Sequence, residues 1–288
     1  KMTTLLSKEF KSYFTSPIGY VFMCFFLLIF GLYFTAINVF SQNGDYTYVL
    51  SSLSNMLLFT VPILTMRLLS EERKNKTDQL LITAPITVAS IVMGKYLAAV
   101  LLLFLTLLIT FIHPLLLMIV GTIPLRSILC SYLGFFLLGC TLISIGLFIS
   151  ALTENQIVSA IATIGAFMFL LLADGIATLI PTSRMASLIF ILVIIVIVSL
   201  IIYNAVKDIY IGLFIAFLGI IVSCLLFYFK GELFDGLPTK FLQWFSVYGR
   251  FDSFVNGLLD VSAIIYYLSF IGVFLFLTKQ VIEKRSWS

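Results

Sequence analysis

Eight apolar stretches account for most of this chain, at about 18–40, 54–70, 93–120, 128–152, 157–179, 188–206, 209–229 and 261–281, each bounded by charges, Pro, Gly or a polar cluster. Roughly 20 apolar residues cover the hydrocarbon core of a bilayer, so these stretches read as crossings. In lipid the backbone must satisfy its own polar groups, which leaves helices and closed barrels. Barrel strands alternate over about ten residues, whereas these runs are continuously apolar. The expected fold is therefore all-α, a polytopic transmembrane bundle of about eight spans. Composition agrees: 61% of the 288 residues are apolar and 10% charged, against roughly 25% charged in a soluble domain. The expectation is one transmembrane domain over 1–288, with no stretch left over for an attached ATPase, kinase or sensor domain.

Orientation follows from the basic residues on alternate sides of the eight spans. Lys1, Lys8, Lys11, Arg67, Arg73, Lys74, Lys76, Lys95, Lys207, Lys279, Lys284 and Arg285 collect on one side; Arg126, Arg184, Lys230, Lys240 and Arg250 lie on the other. The richer side is expected to be cytoplasmic, with both termini there, in a cell membrane of bacterial type. The net charge of +4 is small and gives no support to a nucleic-acid partner.

Ahead of the first stretch, Met2, Leu5, Leu6, Phe10, Tyr13 and Phe14 recur at helical steps while Ser7, Lys8, Lys11 and Ser12 fall on the other side. This predicts an amphipathic helix over 1–17 lying in the inner interface against membrane lipids, broken at Ser16-Pro17. No small-residue cleavage site follows the first apolar run, so the run reads as a retained anchor.

Little in the chain can do chemistry. Cys24, Cys130, Cys140 and Cys224 sit in apolar runs without CxxC spacing, which argues against zinc and against a disulfide framework. His113, beside Pro114, reads as a hydrogen-bonded kink residue, and Asp174 as a carboxylate near the water; neither has an evident complementary partner. The one Gly-Lys pair, Gly94-Lys95, is followed by Tyr96 and has Ala89 five positions before it. The phosphate-cradling pattern fails at both places, so no cofactor is expected in this chain.

The loop 67–92 is the most informative segment. In SEERKNKTDQLLITAP, Glu72 with Lys76, Lys74 with Asp78 and Glu71 with Lys74 stand at helical spacing. A short charged helix is expected, with an apolar end at Leu80, Leu81 and Ala84 and a stop at Pro85; a plain topogenic loop has the same composition. The segment 230–260 carries Phe241, Trp244, Phe245, Tyr248, Phe251, Phe254, Val255, Leu258 and Leu259 at helical steps, with Gly249 and Gly257 allowing bends. It reads either as a re-entrant hairpin in the outer interface or as an aromatic belt anchor.

These residues bring a family with them. The opening KEFKSYFTSPIGYVF, the loop SEERKNKTDQLLITAPITVASIVMGKYLA and the closing DSFVNGLLDVSAIIYYLSFIGVFLFLTKQVIEKRSW resemble the membrane subunit of a type-2 ABC transporter, nearest the gliding-motility-type and copper-nitrous-oxide-maturation-type permeases. The resemblance covers residues 8–175 and 245–288. It implies that Glu71, Glu72, Arg73, Lys74, Asp78, Leu80, Leu81 and Pro85 form a coupling helix docked on a separate cytoplasmic ATPase, which would bind the ATP and Mg. It implies that Lys8, Phe10, Tyr13 and Phe14 belong to an interfacial helix beside it. It also places the family's outer re-entrant helices near 240–258, so that Trp244, Phe245, Tyr248 and Phe251 would form an outer gate. A second permease copy or a related chain would complete a two-plus-two assembly, and an auxiliary protein with an outer domain accompanies gliding-type systems. The usual six spans are exceeded here by the pair within 187–229.

With almost no ionisable residue at mid-depth, where each costs roughly 2.5–3.5 kcal/mol, the spans suit amphipathic or lipid-like cargo better than small ions. The rival from another class is a membrane-embedded lipid- or polyprenyl-processing enzyme using His113 or Asp174.

Overall fold

Helix forms wherever the sequence is continuously apolar, and the breaks fall where Pro, Gly or a polar pair interrupts it. The structure, a computed structural model, describes residues 2–76, 87–206, 209–229 and 231–286. It divides into two compact units, Lys1–Leu171 with Val247–Ser288, and Leu172–Ser246.

In the first unit α1 (Met2–Thr15) ends at Ser16, which is extended, and Pro17 opens α2 (Pro17–Phe34). The turn is tight: a Cβ on Gly19 would overlap the carbonyl of Tyr13. The last turns of α2 widen into a π-helix, Thr35–Phe40. Next come α3 (Thr47–Ser54), α4 (Leu57–Thr65) and α5 (Ser70–Lys74). Thr47–Ser54 and Leu57–Lys74 are bent by 61° about the break between them. The stretch expected as a crossing at 54–70 thus lies in a bent helix pair. The next one starts earlier than expected: Thr87 caps α6 (Val88–Thr110) by accepting from the Ser90 N–H, and α7 (Ile112–Val120) continues it past a turn at Phe111.

The centre of this unit is α8 (Leu125–Leu152), 72% of whose apolar window is buried. Lipid tails are as apolar as Leu, so helices associate in a bilayer through close packing, and small residues permit it. Here three glycines each admit a different neighbour. Gly134 lies against Phe254, where an added Cβ would stand 2.6 Å from the Phe254 Cβ; one on Gly139 would overlap Leu103, and one on Gly146 would overlap the Thr65 hydroxyl. Phe254 belongs to α13 (Phe251–Val255), which precedes α14 (Val261–Ser286). Some buried hydroxyls along these helices return to their own backbone, as in Thr106 to Leu102 O at 2.7 Å and Thr141 to Leu137 O at 2.9 Å, and so are satisfied within the helix. α9 (Gln156–Leu179) carries on from this unit into the second.

Within the second unit α10 (Arg184–Val206) packs on α11 (Ile209–Phe229), with Gly219 against Ile195. A 3-10 turn, Gly231–Phe234, leads to α12 (Leu237–Trp244). Arg184 Nε donates to Asp235 Oδ1 at 2.8 Å, and Phe190 meets Phe241.

Among the described residues five helices are long and apolar enough to cross a membrane, six if the bent pair is taken as one span. The two further apolar stretches of the sequence are α10 and α11, with shorter apolar parts at Arg184–Leu200 and Ala216–Phe229. The protein is an all-α, multi-pass helical bundle.

Candidate functional site

Lys95 sits about two turns into α6, and its side chain is only 3% exposed. An ammonium so placed must be paired, because desolvation without a counter-charge is costly. Two carboxylates reach it from two other elements. Glu72 Oε1, on α5, accepts at 2.7 Å and Glu9 Oε2, on α1, lies at 3.3 Å. The preceding residue explains how α1 comes so close: a Cβ on Gly94 would stand 2.9 Å from Leu5 Cδ2. The Gly-Lys pair therefore works as a contact and a charge, holding α1 and α5 to α6.

A second attachment holds α5 to α8. Ser150, fully buried near the end of α8, accepts through Oγ from the backbone N–H groups of Leu69 and Ser70, each at 3.1 Å. These are donors that a helix start leaves without intrahelical partners, and here a hydroxyl from another helix takes the place of an N-cap side chain. Arg73 adds Nη1 to Ala151 O at 3.2 Å and Nη2 to Glu154 Oε1 at 2.8 Å. Glu71 is held by Arg67 through both carboxylate oxygens.

The expected pairing of Glu72 with Lys76 is not what forms. The helix ends at Lys74, Lys76 takes a left-handed backbone (φ 54°), and Glu72 turns to Lys95 instead. Lys74, Asn75 and Lys76 are exposed. Asp78, Leu80, Leu81 and Pro85 lie outside the described residues.

On α1, Tyr13 is buried, Phe10 and Phe14 are half-buried and meet edge to face at 5.2 Å, and Lys8 is exposed. Burial, with the Glu9 carboxylate nearby, holds the Tyr13 phenol protonated well above its ordinary range. A cavity of ≈ 390 Å³ separates α1 from the start of α5, walled by Glu9, Tyr13, Arg67, Glu71, Glu72 and Lys95.

Of the aromatic residues expected to act as an outer gate, Trp244 and Phe245 belong to the second unit, where Trp244 is exposed and its ring meets Phe245. Tyr248 and Phe251 belong to the first unit and are buried there. Phe251 packs on Phe135 of α8 at 6.1 Å, and the backbone beside Tyr248 is tied down by Tyr267 Oη donating to Val247 O at 2.8 Å. Arg250 lies 3.9 Å above the Tyr266 ring, a cation–π contact.

His113 hydrogen-bonds Tyr46 Oη through Nδ1 at 3.0 Å and stacks on Phe34, which is the chemistry of a braced kink. The Asp174 side chain lies outside those described. Among the described residues no group of His, Cys, Asp and Glu could hold a metal ion.

Sequence reasoning missed Lys95, Glu9, Ser150 and Glu154. Lys95 left a signal: it stands inside an apolar run, and a lysine there must find a carboxylate. Ser150 left none, since a buried Ser is ordinary.

No curated protein matches the chain. Residues 3–187, more than half of its length and including the whole Lys95 site, match the family described as ABC-2 family transporter protein. With that match, and with an all-helical multi-pass bundle under it, the chain belongs to the ABC-2 transporter family and is a membrane permease.

Proposed function

We propose that this permease is the membrane half of an ATP-driven exporter of amphipathic or lipid-like cargo, coupled through residues 71–85 to a separate cytoplasmic ATPase that binds the ATP and Mg. The observation that carries the reading is the double attachment of α5. Ser150 and the Ala151 carbonyl fix it to the central helix α8, with Glu154 just past the end of that helix, and Lys95 fixes it to α6 and, through Glu9, to α1. A force applied at the end of α5 therefore reaches three other helices without an intervening flexible joint.

In this reading the acidic and basic residues of the motif divide their work. Glu71, Glu72 and Arg73 meet partners inside the chain, so they position the segment, while Lys74 and the residues after it face the ATPase. ATP-driven closure of two ATPase chains would move the paired segments, and rigid rotation of the helices would follow. A second permease copy or a related chain completes the assembly, with both termini on the cytoplasmic side. The closer kinship to gliding-motility-type permeases, with an auxiliary outer protein, rests on the terminal and loop motifs. The outer aromatic residues are proposed as the exit gate.

The test is co-purification of the ATPase and ATP turnover in reconstituted membranes for Arg73→Ala with Lys74→Glu. Weakened association with preserved membrane insertion supports the reading; wild-type levels of both contradict it.

A further inference from the structure

A polar contact lies among otherwise apolar helix ends, far from the Lys95 cluster. Roughly 27 Å of helix, at 1.5 Å per residue, separates Lys95 from His113 along α6 and α7. His113 Nδ1 stands 3.0 Å from Tyr46 Oη, and Tyr46, the residue before α3, is fully buried. The imidazole is half-buried and stacks on Phe34, the last residue of α2, with ring centroids 4.6 Å apart. Tyr46 in turn stacks on Tyr132 of α8 at 5.9 Å, and Tyr132 shares a hydrogen bond of 3.1 Å with Thr110, the last residue of α6. The ends of α2, α3, α6, α7 and α8 thus gather around one imidazole.

The proton positions follow from the partners. Thr110 Oγ1 gives its proton to Leu107 O at 2.7 Å, so Tyr132 is the donor to Thr110. A neutral imidazole with its proton on Nε2 offers an acceptor at Nδ1, and the Tyr46 hydroxyl donates to it. That arrangement needs the ring uncharged. Protonated at Nδ1, the ring presents a donor where Tyr46 needs an acceptor, and the hydroxyl must turn away. The charge would also lack a counter-ion: among the described residues no carboxylate forms an ion pair with His113. Phe34 faces the ring from α2 and Tyr46 from the start of α3, with Tyr132 on α8 and Thr110 on α6 behind them. Asp45, beside Tyr46, accepts through Oδ1 from the Thr47 N–H at 2.9 Å within its own turn, and Arg126 at the start of α8 is exposed. A cation on the Phe34 face regains part of the desolvation cost, not the lost hydrogen bond.

We propose that His113 is a proton-operated clasp. Neutral, it joins α7 to the start of α3 and holds these helix ends together; protonated, it releases Tyr46 and lets them part. Histidine is the side chain whose charge ordinarily changes between about pH 5 and 8. The side from which acid acts rests on the proposed orientation, which puts this end of the bundle outside the cell. Acid there loosens the end through which exported cargo leaves.

The experiment is amide hydrogen exchange on the full chain in lipid nanodiscs, each rate divided by the intrinsic rate at the same pH. The reporters are Val49 and Leu50, whose N–H groups donate to Tyr46 O at 3.1 and 3.3 Å. Normalised exchange there should rise about tenfold between about pH 7.5 and 5.5, the scale of one buried hydrogen bond, while the buried middle of α8 stays protected. His113→Gln keeps a carbonyl acceptor that takes up no proton in this range, and its exchange should stay flat. Tyr46→Phe keeps the stacked ring without the donor, and its exchange should already be fast at the higher pH and gain little on acidification. A flat normalised rate in the wild-type chain, or the same rise in His113→Gln, would overturn the proposal. Exchange reads the chain without its ATPase, and thiol labelling at Thr122 reads the orientation, so failure of the clasp and failure of the coupling reading are told apart.

Discussion

Lys95 Nζ lies 2.7 Å from Glu72 Oε1, joining two residues that are 23 positions apart and that belong to an apolar helix and a charged loop segment. With Glu9 also on Lys95, one buried cation serves two carboxylates from two elements. Removing it takes a buried counter-charge from both. Lys95→Met should destabilise the protein by about 3 kcal/mol, the lower end for breaking a buried pair, because Glu72 and Glu9 keep some contact with water. Thermal unfolding in a fixed detergent would read this. In Lys95→Met with Glu72→Gln the loss should be clearly less than the sum of the single losses, since one of the two carboxylates deprived of the ammonium is then neutral; strict additivity would mean that the two side chains do not interact.

The cap supplied by Ser150 gives a local prediction. Ser150→Ala leaves the Leu69 and Ser70 N–H groups without their acceptor, a loss of about 1–2 kcal/mol concentrated at the start of α5. Hydrogen exchange at residues 69–74 should speed up while α8 itself stays protected. Unchanged exchange there would show that water replaces the hydroxyl at no loss.

Glycines in α8 and α9 should respond in opposite ways. Gly146→Ala forces a methyl into the Thr65 hydroxyl and should destabilise by about 1–3 kcal/mol. Gly165→Ala, where an added Cβ meets nothing, should be neutral or slightly stabilising as a helix-interior change. Comparable losses at both sites would disprove the close approach of α4 to α8.

Orientation can be read by thiol labelling on a cysteine-free background. A cysteine at Asn75 should be protected from an impermeant reagent in intact cells and one at Thr122 labelled, as the basic residues gathered at the Asn75 end require. The reverse pattern would invert the topology.

The helices were legible because apolar continuity is a local signal: the positions of α2, α6, α8, α9 and α14 follow from it, as does the break at Ser16-Pro17. The 61° bend after Ser54 was not, since Asn55-Met56 carries neither Pro nor Gly. The site was half legible. The loop motif drew attention to Glu71, Glu72 and Arg73, but spacing could only offer neighbours within one helix, and it assigned Glu72 to Lys76. The real partner, Lys95, is brought to Glu72 by the fold, and Glu9 by the close fit of Leu5 over Gly94. Counting Lys95 as one topogenic charge among many concealed that it was the residue most in need of a carboxylate.

On the proposed reading the permease meets its ATPase at the end of α5. This contact is tested most directly by placing a photo-activated cross-linking residue at Asn75, exposed just past the pinned turn, in the assembled complex in membranes. A covalent adduct with the ATPase chain should form, and none from the same residue placed at Thr122. A complex in which the ATPase co-purifies while Asn75 yields no adduct with it would move the coupling contact elsewhere on the chain.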